Sequence, residues 1–245
     1  MINEHNYYTD RSFVSNSMLN KMNQNQQLFY EWLNGNYEYP STNALDIGTA
    51  VHLSILEPHK VDEMYFFSES NDGRTKEFKA DVEDNPDKIV LKSSDKEFID
   101  GMRDTLFRRK MLEDVISKSS VEQIATKVIN GVNCKGKADM IYDSIGKRIG
   151  IDYKTTSSSI EDFLYTSSKY NYDRQAWMYM QLFDLEEFWF IVQEKYYPFR
   201  PAIVVCGNDF LQSGATKLDR DLENYKTFFV DGEYDPNHLP IITLK

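Results

Sequence analysis

Asp139, Asp152 and Lys154 are the residues whose types and spacing best suit chemistry. The segment Gly136-Lys137-Ala138-Asp139-Met140-Ile141-Tyr142 is followed, across Asp143-Ser144-Ile145-Gly146-Lys147, by Ile149-Gly150-Ile151-Asp152-Tyr153-Lys154-Thr155. Side chains two apart on a strand share a face, so Asp152 and Lys154 project together, and an antiparallel neighbour brings Asp139 beside them. Two carboxylates converging on one point make a hard, oxygen-rich site suited to Mg²⁺ or Mn²⁺. Hydrolysis of a phosphodiester needs a deprotonated water and a counter-charge for the pentavalent phosphate, and such a cation supplies both. The Lys154 ammonium suits orienting the nucleophile or stabilising developing negative charge. The competing reading is a solvated hairpin with cross-strand ion pairs. Against it stand the apolar neighbours Met140, Ile149 and Ile151. They imply a buried strand, where charged groups need partners or a metal.

The elements that must position these residues follow from periodicity. Ser15-Asn16-Ser17 reads as the cap of a helix reaching about Leu33, and Ile47 to Leu56 as an apolar helix closed by Pro58. Residues 68–88 are charged and carry Gly73 and Pro86, which predicts an exposed loop or mobile flap. Ser94 to Lys118 reads as an amphipathic helix or helix pair. From Val121 the pattern alternates: Glu122 to Val128, Cys134 to Tyr142 and Arg148 to Lys154 form a strand meander, with Asn130-Gly131 as a hairpin turn. A helical stretch follows Ser157-Ser158-Ser159, then a strong helix from Asp173 to Leu185. Strands at Phe188 to Gln193 and Ala202 to Cys206 and a closing helix from Asn208 to Phe229 complete the order. That is an α/β fold with a mixed central sheet flanked by helices. A single domain is expected over residues 1–245: a mostly helical N-terminal region over residues 1–118, the sheet and its helices over 119–230, and a tail over 231–245.

Bulk properties bound the function. With 245 residues and 41% hydrophobic content the chain has enough apolar mass for one sizeable core. No stretch approaches the roughly 20 apolar residues of a membrane span, and Met1-Ile2-Asn3-Glu4-His5 does not open a secretory signal. Cys134 and Cys206 are too few for a disulfide framework, a four-thiolate zinc site or an iron–sulfur cluster, and place the chain in a reducing cytoplasm as buried free thiols. A net charge of −11 weighs against nucleic-acid binding. Binding depends on the distribution of charge, however, and carboxylates that hold cations inflate the acidic count. Basic residues cluster at Arg108-Arg109-Lys110, Lys135 with Lys137, and Lys147-Arg148. The first and last read as solvated surface, whereas Lys135 and Lys137 lead into Asp139 and are the better candidates for phosphate contact.

The Asp139 … Asp152-x-Lys154 arrangement resembles the PD-(D/E)xK nuclease superfamily, with Ala138 in place of the motif's proline. Gln175-x-x-x-Tyr179, on one face of the next helix, resembles the signature of the subgroup of RecB-type and phage-type exonucleases, and so implies DNA contact beside the metal site. Ala44-Leu45-Asp46-Ile47-Gly48-Thr49-Ala50-Val51-His52 resembles that subgroup's Gly-x-x-x-His helix, whose histidine approaches the metal; a satisfied core histidine is the alternative. The resemblance also implies a place for Glu122 near the metals or their waters, with an exposed edge position as the alternative, and a backbone carbonyl of Tyr153 as a metal ligand. Ser15-Asn16-Ser17-Met18-Leu19, Gly48 to Pro58 and Cys134-Lys135-Gly136-Lys137-Ala138-Asp139 are similar to the phage and prophage exodeoxyribonuclease VIII (RecE-like) family. That likeness implies a restriction-endonuclease-like core and a processive 5′ to 3′ exonuclease on double-stranded DNA ends. It further implies a homo-oligomeric ring that enclosed DNA would thread and a single-strand annealing protein as partner in phage-type recombination. Two alternatives stay open: the same chemistry on single-stranded, flap or internal sites, and a non-catalytic DNA-binding or assembly module on this fold.

Overall fold

The computed structural model describes residues 2–40, 43–144 and 146–238, and for residues 43–46 the backbone alone. Helices α1 (Asn16–Gln24), α2 (Gln26–Leu33) and α3 (Asn43–Leu56) lead into a short α4 (Val61–Met64) and strand β1 (Tyr65–Phe67). Helix α5 (Lys76–Asp84), strand β2 (Ile89–Leu91) and helices α6 (Ser93–Phe107) and α7 (Lys110–Lys118) follow. Then come strands β3 (Ser120–Ile129), β4 (Val132–Ser144) and β5 (Lys147–Thr156), helices α8 (Ile160–Thr166) and α9 (Tyr172–Phe183), strands β6 (Glu187–Glu194) and β7 (Pro201–Val205), and helix α10 (Asn208–Tyr225).

Among the described residues, β3 to β7 form one sheet in sequence order. All neighbours are antiparallel except β5 and β6, which run parallel because α8 and α9 carry the chain back across one face. On that face Leu19, Met22 and Phe29 of α1 and α2 pack with Ala138, Phe188 and Phe190 of the sheet and Leu218 and Leu222 of α10. On the other, Val51 of α3, Ile99 and Met102 of α6 and Val115 of α7 pack with Met140, Ile151 and Ile191. The result is the mixed sheet between two helical layers that the periodicity predicts.

Buried charge locks the first layer. Arg174, on α9, is wholly buried; it pairs with Asp221 of α10, and its Nε donates to Asn16 Oδ1 of α1 at 2.9 Å. Gly214 lets the two long helices close: a Cβ there would lie 2.1 Å from the carbonyl oxygen of Asp173.

Three expectations change. The helix from Ser15 is broken at Asn25, whose extended backbone ends α1 and whose side chain caps α2 by accepting from Leu28 N–H. Residues 68–88 are not a featureless loop: they contain α5, capped by Thr75, between β1 and β2, which pair in parallel. The closing α-helix stops at Tyr225 and gives way to a wider π turn, Lys226–Val230. Residues 239–245, at the end of the expected tail, and Ile145 in the β4–β5 turn lie outside the described residues.

Candidate active site

The site is made by a fork in the sheet. β4 and β5 pair from Ser144↔Lys147 to Met140↔Ile151 and then part. Asp139 and Asp152 are the next residue on each strand, the first without a partner across the gap. Beyond them β5 continues beside β6, with Asp152 opposite Phe190 and Lys154 opposite Val192. One group spans the opening: the Tyr153 backbone N–H donates to Asp139 Oδ2 at 2.8 Å. On the other side, β3 and β4 keep register through Val121↔Met140 and Gln123↔Ala138, which puts Glu122 opposite Asp139. Glu122 takes a left-handed backbone (φ 54°), a conformation seldom adopted by a residue with a side chain and often found at functional sites.

Helix α3 adds His52, whose Nε2 lies 3.0 Å from Asp139 Oδ2 and whose Nδ1 lies 3.7 Å from Glu122 Oε1. One ligand atom from each of His52, Glu122 and Asp139 falls within 4.8 Å of the others. Helix α9 approaches from the opposite layer, and Gln175 Nε2 donates to Asp152 Oδ1 at 2.6 Å. Asp152 Oδ2 is buried and ion-paired with Lys154 Nζ at 2.6 Å. Lys154 Nζ in turn sits 4.8 Å from the centre of the Tyr172 ring.

These contacts set the charges. Burial works to lower the His52 pKa, but the adjoining Asp139 and Glu122 carboxylates outweigh it and hold the imidazole at about 9. Burial likewise opposes ionisation of Asp139, and the His52 charge overrides it and lowers the pKa. Asp152 goes the other way: burial and the like charge of Asp139 push it to about 6, against the pull of Lys154. Burial also raises Glu122, although Lys137 pairs with it. Burial alone would lower Lys154, but Asp152 and Asp139 hold its pKa above the ordinary lysine value.

The donor set fits a hard divalent cation. It offers several carboxylate oxygens and one imidazole, and crowds the like charges of Asp139 and Asp152, which a cation would relieve. The structure thus brings together His52, Glu122, Asp139, Asp152, Tyr153, Lys154 and Gln175. Tyr179, one turn along α9 from Gln175, is buried at 8% exposure. Lys137 reaches the cluster through its ion pair with Glu122.

Lys135 does not reach it. At 2% exposure its ammonium donates to the carbonyls of Tyr7 and Asp10, so it ties the N-terminal loop to β4 instead of facing solvent and phosphate. Sequence reasoning missed Tyr8, Tyr172 and Lys195, which with His52 and Lys154 line a cavity of about 400 Å³ over the site. A signal for Lys195 existed: a parallel neighbour to the Asp-x-Lys strand must end on the same side as Lys154.

The model of one family matches residues 15–238, and the chain belongs to that family, described as PDDEXK-like domain of unknown function (DUF3799). A solved structure from Eubacterium rectale, provisionally described as an exonuclease, is similar over 100% of this chain and 96% of that chain, with a TM-score of 0.70 at 15% identity; it supports the fold. A second, described as SSO0001, covers 71% of this chain and 86% of its own at 18% identity, with a TM-score of 0.33, too low to bear on the argument. No curated protein matches significantly.

Proposed function

We propose that the protein is a divalent-metal-dependent deoxyribonuclease whose reaction centre is the fork between β4 and β5. The observation that carries this reading is the convergence at the fork of Asp152, ion-paired with Lys154 at 2.6 Å, with the Asp139, His52 and Glu122 cluster. His52, Asp139, Asp152 and the backbone carbonyl of Tyr153 would hold Mg²⁺ or Mn²⁺, with Glu122 close to its waters. When bound, such a cation supplies a lowered water pKa and positive charge against the phosphate oxygens.

The chain's own groups divide the remaining work. Lys154, with its raised pKa, stays an ammonium at neutral pH. It therefore acts by charge, orienting the attacking water or holding a phosphate oxygen, and not as a general base. Gln175 fixes the rotation of the Asp152 carboxylate, and with Tyr179, buried one turn along, it would brace the site beside the DNA strand. Lys137 keeps Glu122 charged and adds a phosphate contact.

The finer reading is an exonuclease that enters at duplex ends and resects 5′ to 3′ in phage-type recombination, as a ring beside a single-strand annealing protein. It is supported by the ordered likeness to exodeoxyribonuclease VIII, and a ring would let an acidic chain hold DNA by topology. The test is digestion of end-labelled linear duplex beside covalently closed circles, with Mg²⁺, with Mn²⁺ and with chelator. Loss of the linear DNA alone, and only with metal, is the expected result. Cutting of circles would replace the exonuclease by an endonuclease, and no cleavage of either would overturn the reading.

A further inference from the structure

A second cavity, also about 400 Å³, opens beside the first between α3 and α6. Its walls are Ile47, Val51, Phe98 and Met102, with Ser94 and Asp95 at one side, and it shares Gly48, Thr155 and Lys195 with the cavity over His52 and Lys154. It is thus a largely apolar recess adjoining the reaction centre, in the size range of small-molecule sites (roughly 300–1,000 Å³).

Gly48 is the telling residue. A glycine inside a helix destabilises it by comparison with alanine, so its presence asks for a packing reason. None exists here: a Cβ built on Gly48 meets nothing within 4 Å. The space it leaves lies where the two cavities adjoin, since Gly48 lines both. Phe98 presents an aromatic surface, held edge-on by Phe199 at 5.5 Å between ring centres. Lys195, exposed at the junction, has no ion pair among the described residues, and its backbone is anchored to Thr156 O at 2.8 Å.

We propose that this recess binds an unpaired nucleobase of the strand whose phosphate lies at the reaction centre. The base passes over Gly48 and stacks near Phe98 and Ile47, with the buried Val51 and Met102 as the floor, while Lys195 holds the intervening phosphate. The inference rests on the nuclease reading above and adds to it a base subsite that a duplex must fray to use. A largely apolar recess with an aromatic wall accepts any base face, so it selects for unpaired structure and not for sequence.

The test uses two oligonucleotide series on the whole protein. The first carries an abasic residue in place of each terminal nucleotide in turn. Loss of the base that occupies the recess should lower kcat/KM by roughly 10- to 100-fold, the span of one lost base–aromatic stack. Gly48→Leu, which fills the space where the cavities adjoin, and Phe98→Ala, which removes the aromatic wall, should each lose the ability to distinguish intact from abasic substrate. The second series reads binding without cleavage: 2-aminopurine at the same positions, with Ca²⁺ as the only metal. Its fluorescence should change on binding to the wild type, and the change should be lost in both variants. Cleavage with no abasic effect and no 2-aminopurine response would overturn the base subsite and leave the nuclease standing. A 2-aminopurine response lost in the variants, without any cleavage, would uphold the subsite and sink the nuclease. Neither binding nor cleavage would overturn both.

Discussion

Gln175 Nε2 holds Asp152 Oδ1 at 2.6 Å, so a helix in one layer sets the rotation of a carboxylate presented by the central sheet. Partners of this kind govern how well a ligand is aimed, and their removal commonly costs about 10–100-fold in metal affinity. Gln175→Met keeps length and removes the donor. Calorimetric titration with Mn²⁺ should show affinity lower by that factor while thermal stability without metal changes little. Unaltered affinity would show that the amide does not aim the carboxylate.

Proton linkage gives a signed prediction. The Asp152 pKa is raised to about 6, so the stability this group contributes is fully present below about pH 4 and lost as pH rises through about 6. His52 is raised to about 9; its contribution is complete below about pH 6.5 and lost as pH rises through about 9. A cation that takes both groups in their deprotonated forms reverses these losses. The rise in melting temperature on adding Mg²⁺ should therefore be larger at pH 9 than at pH 5. At pH 7, titration in buffers of different ionisation enthalpy should show about one proton released per cation, and His52→Ala should abolish that release.

Arg174 and Asp221 are both wholly buried, and among the described residues Asp221 is the one carboxylate paired with the Arg174 guanidinium. Asp221→Ala should cost about 3–5 kcal/mol in chemical denaturation. The pair replaced together, Arg174→Met with Asp221→Leu, should recover most of that loss. A single variant as stable as the wild type would mean that Asn16, Asn20 and solvent suffice for the guanidinium.

Lys135 and Lys137 should separate cleanly. Lys135→Met frees the carbonyls of Tyr7 and Asp10 and should expose the N-terminal loop to limited proteolysis, with the salt slope of DNA binding unmoved. Lys137→Met should lower that slope by about 1, the signature of one phosphate contact. A lowered slope for Lys135→Met would place its ammonium on DNA after all.

Part of the site is legible from spacing alone: the Asp-x-Lys strand and the hairpin joining it to Asp139 follow from the two-residue period. Gln175, His52 and Glu122 are instead implied by the family resemblance. Alternation put Lys135 on the face of Lys137 and Asp139, but it could not show that the N-terminal loop covers the first of these. Helix α5 was hidden because only Phe78, Ala80 and Val82 interrupt its polar residues, too few for an apolar stripe. The Arg174–Asp221 pair joins positions 47 residues apart, and no local pattern signals such a contact. The left-handed turn at Glu122 carries no composition cue, since glutamate is not a residue that favours it.

The parting of β4 from β5 has a mechanical consequence. It divides the sheet into a ribbon, β3 with β4, and a slab, β5 to β7, that share rungs only between residues 140–144 and 147–151. The angle between ribbon and slab sets the separation of Asp139 from Asp152, and the Tyr153 N–H acts as the latch at the crotch. An ion that must touch both carboxylates is then measured by the stiffness of those few rungs. Mg²⁺ asks for oxygens at about 2.0–2.1 Å and Ca²⁺ for about 2.3–2.6 Å. In the proposed metal site, the torsion of the sheet would thus help, beside the chemistry of the ligands, to sort one ion from the other.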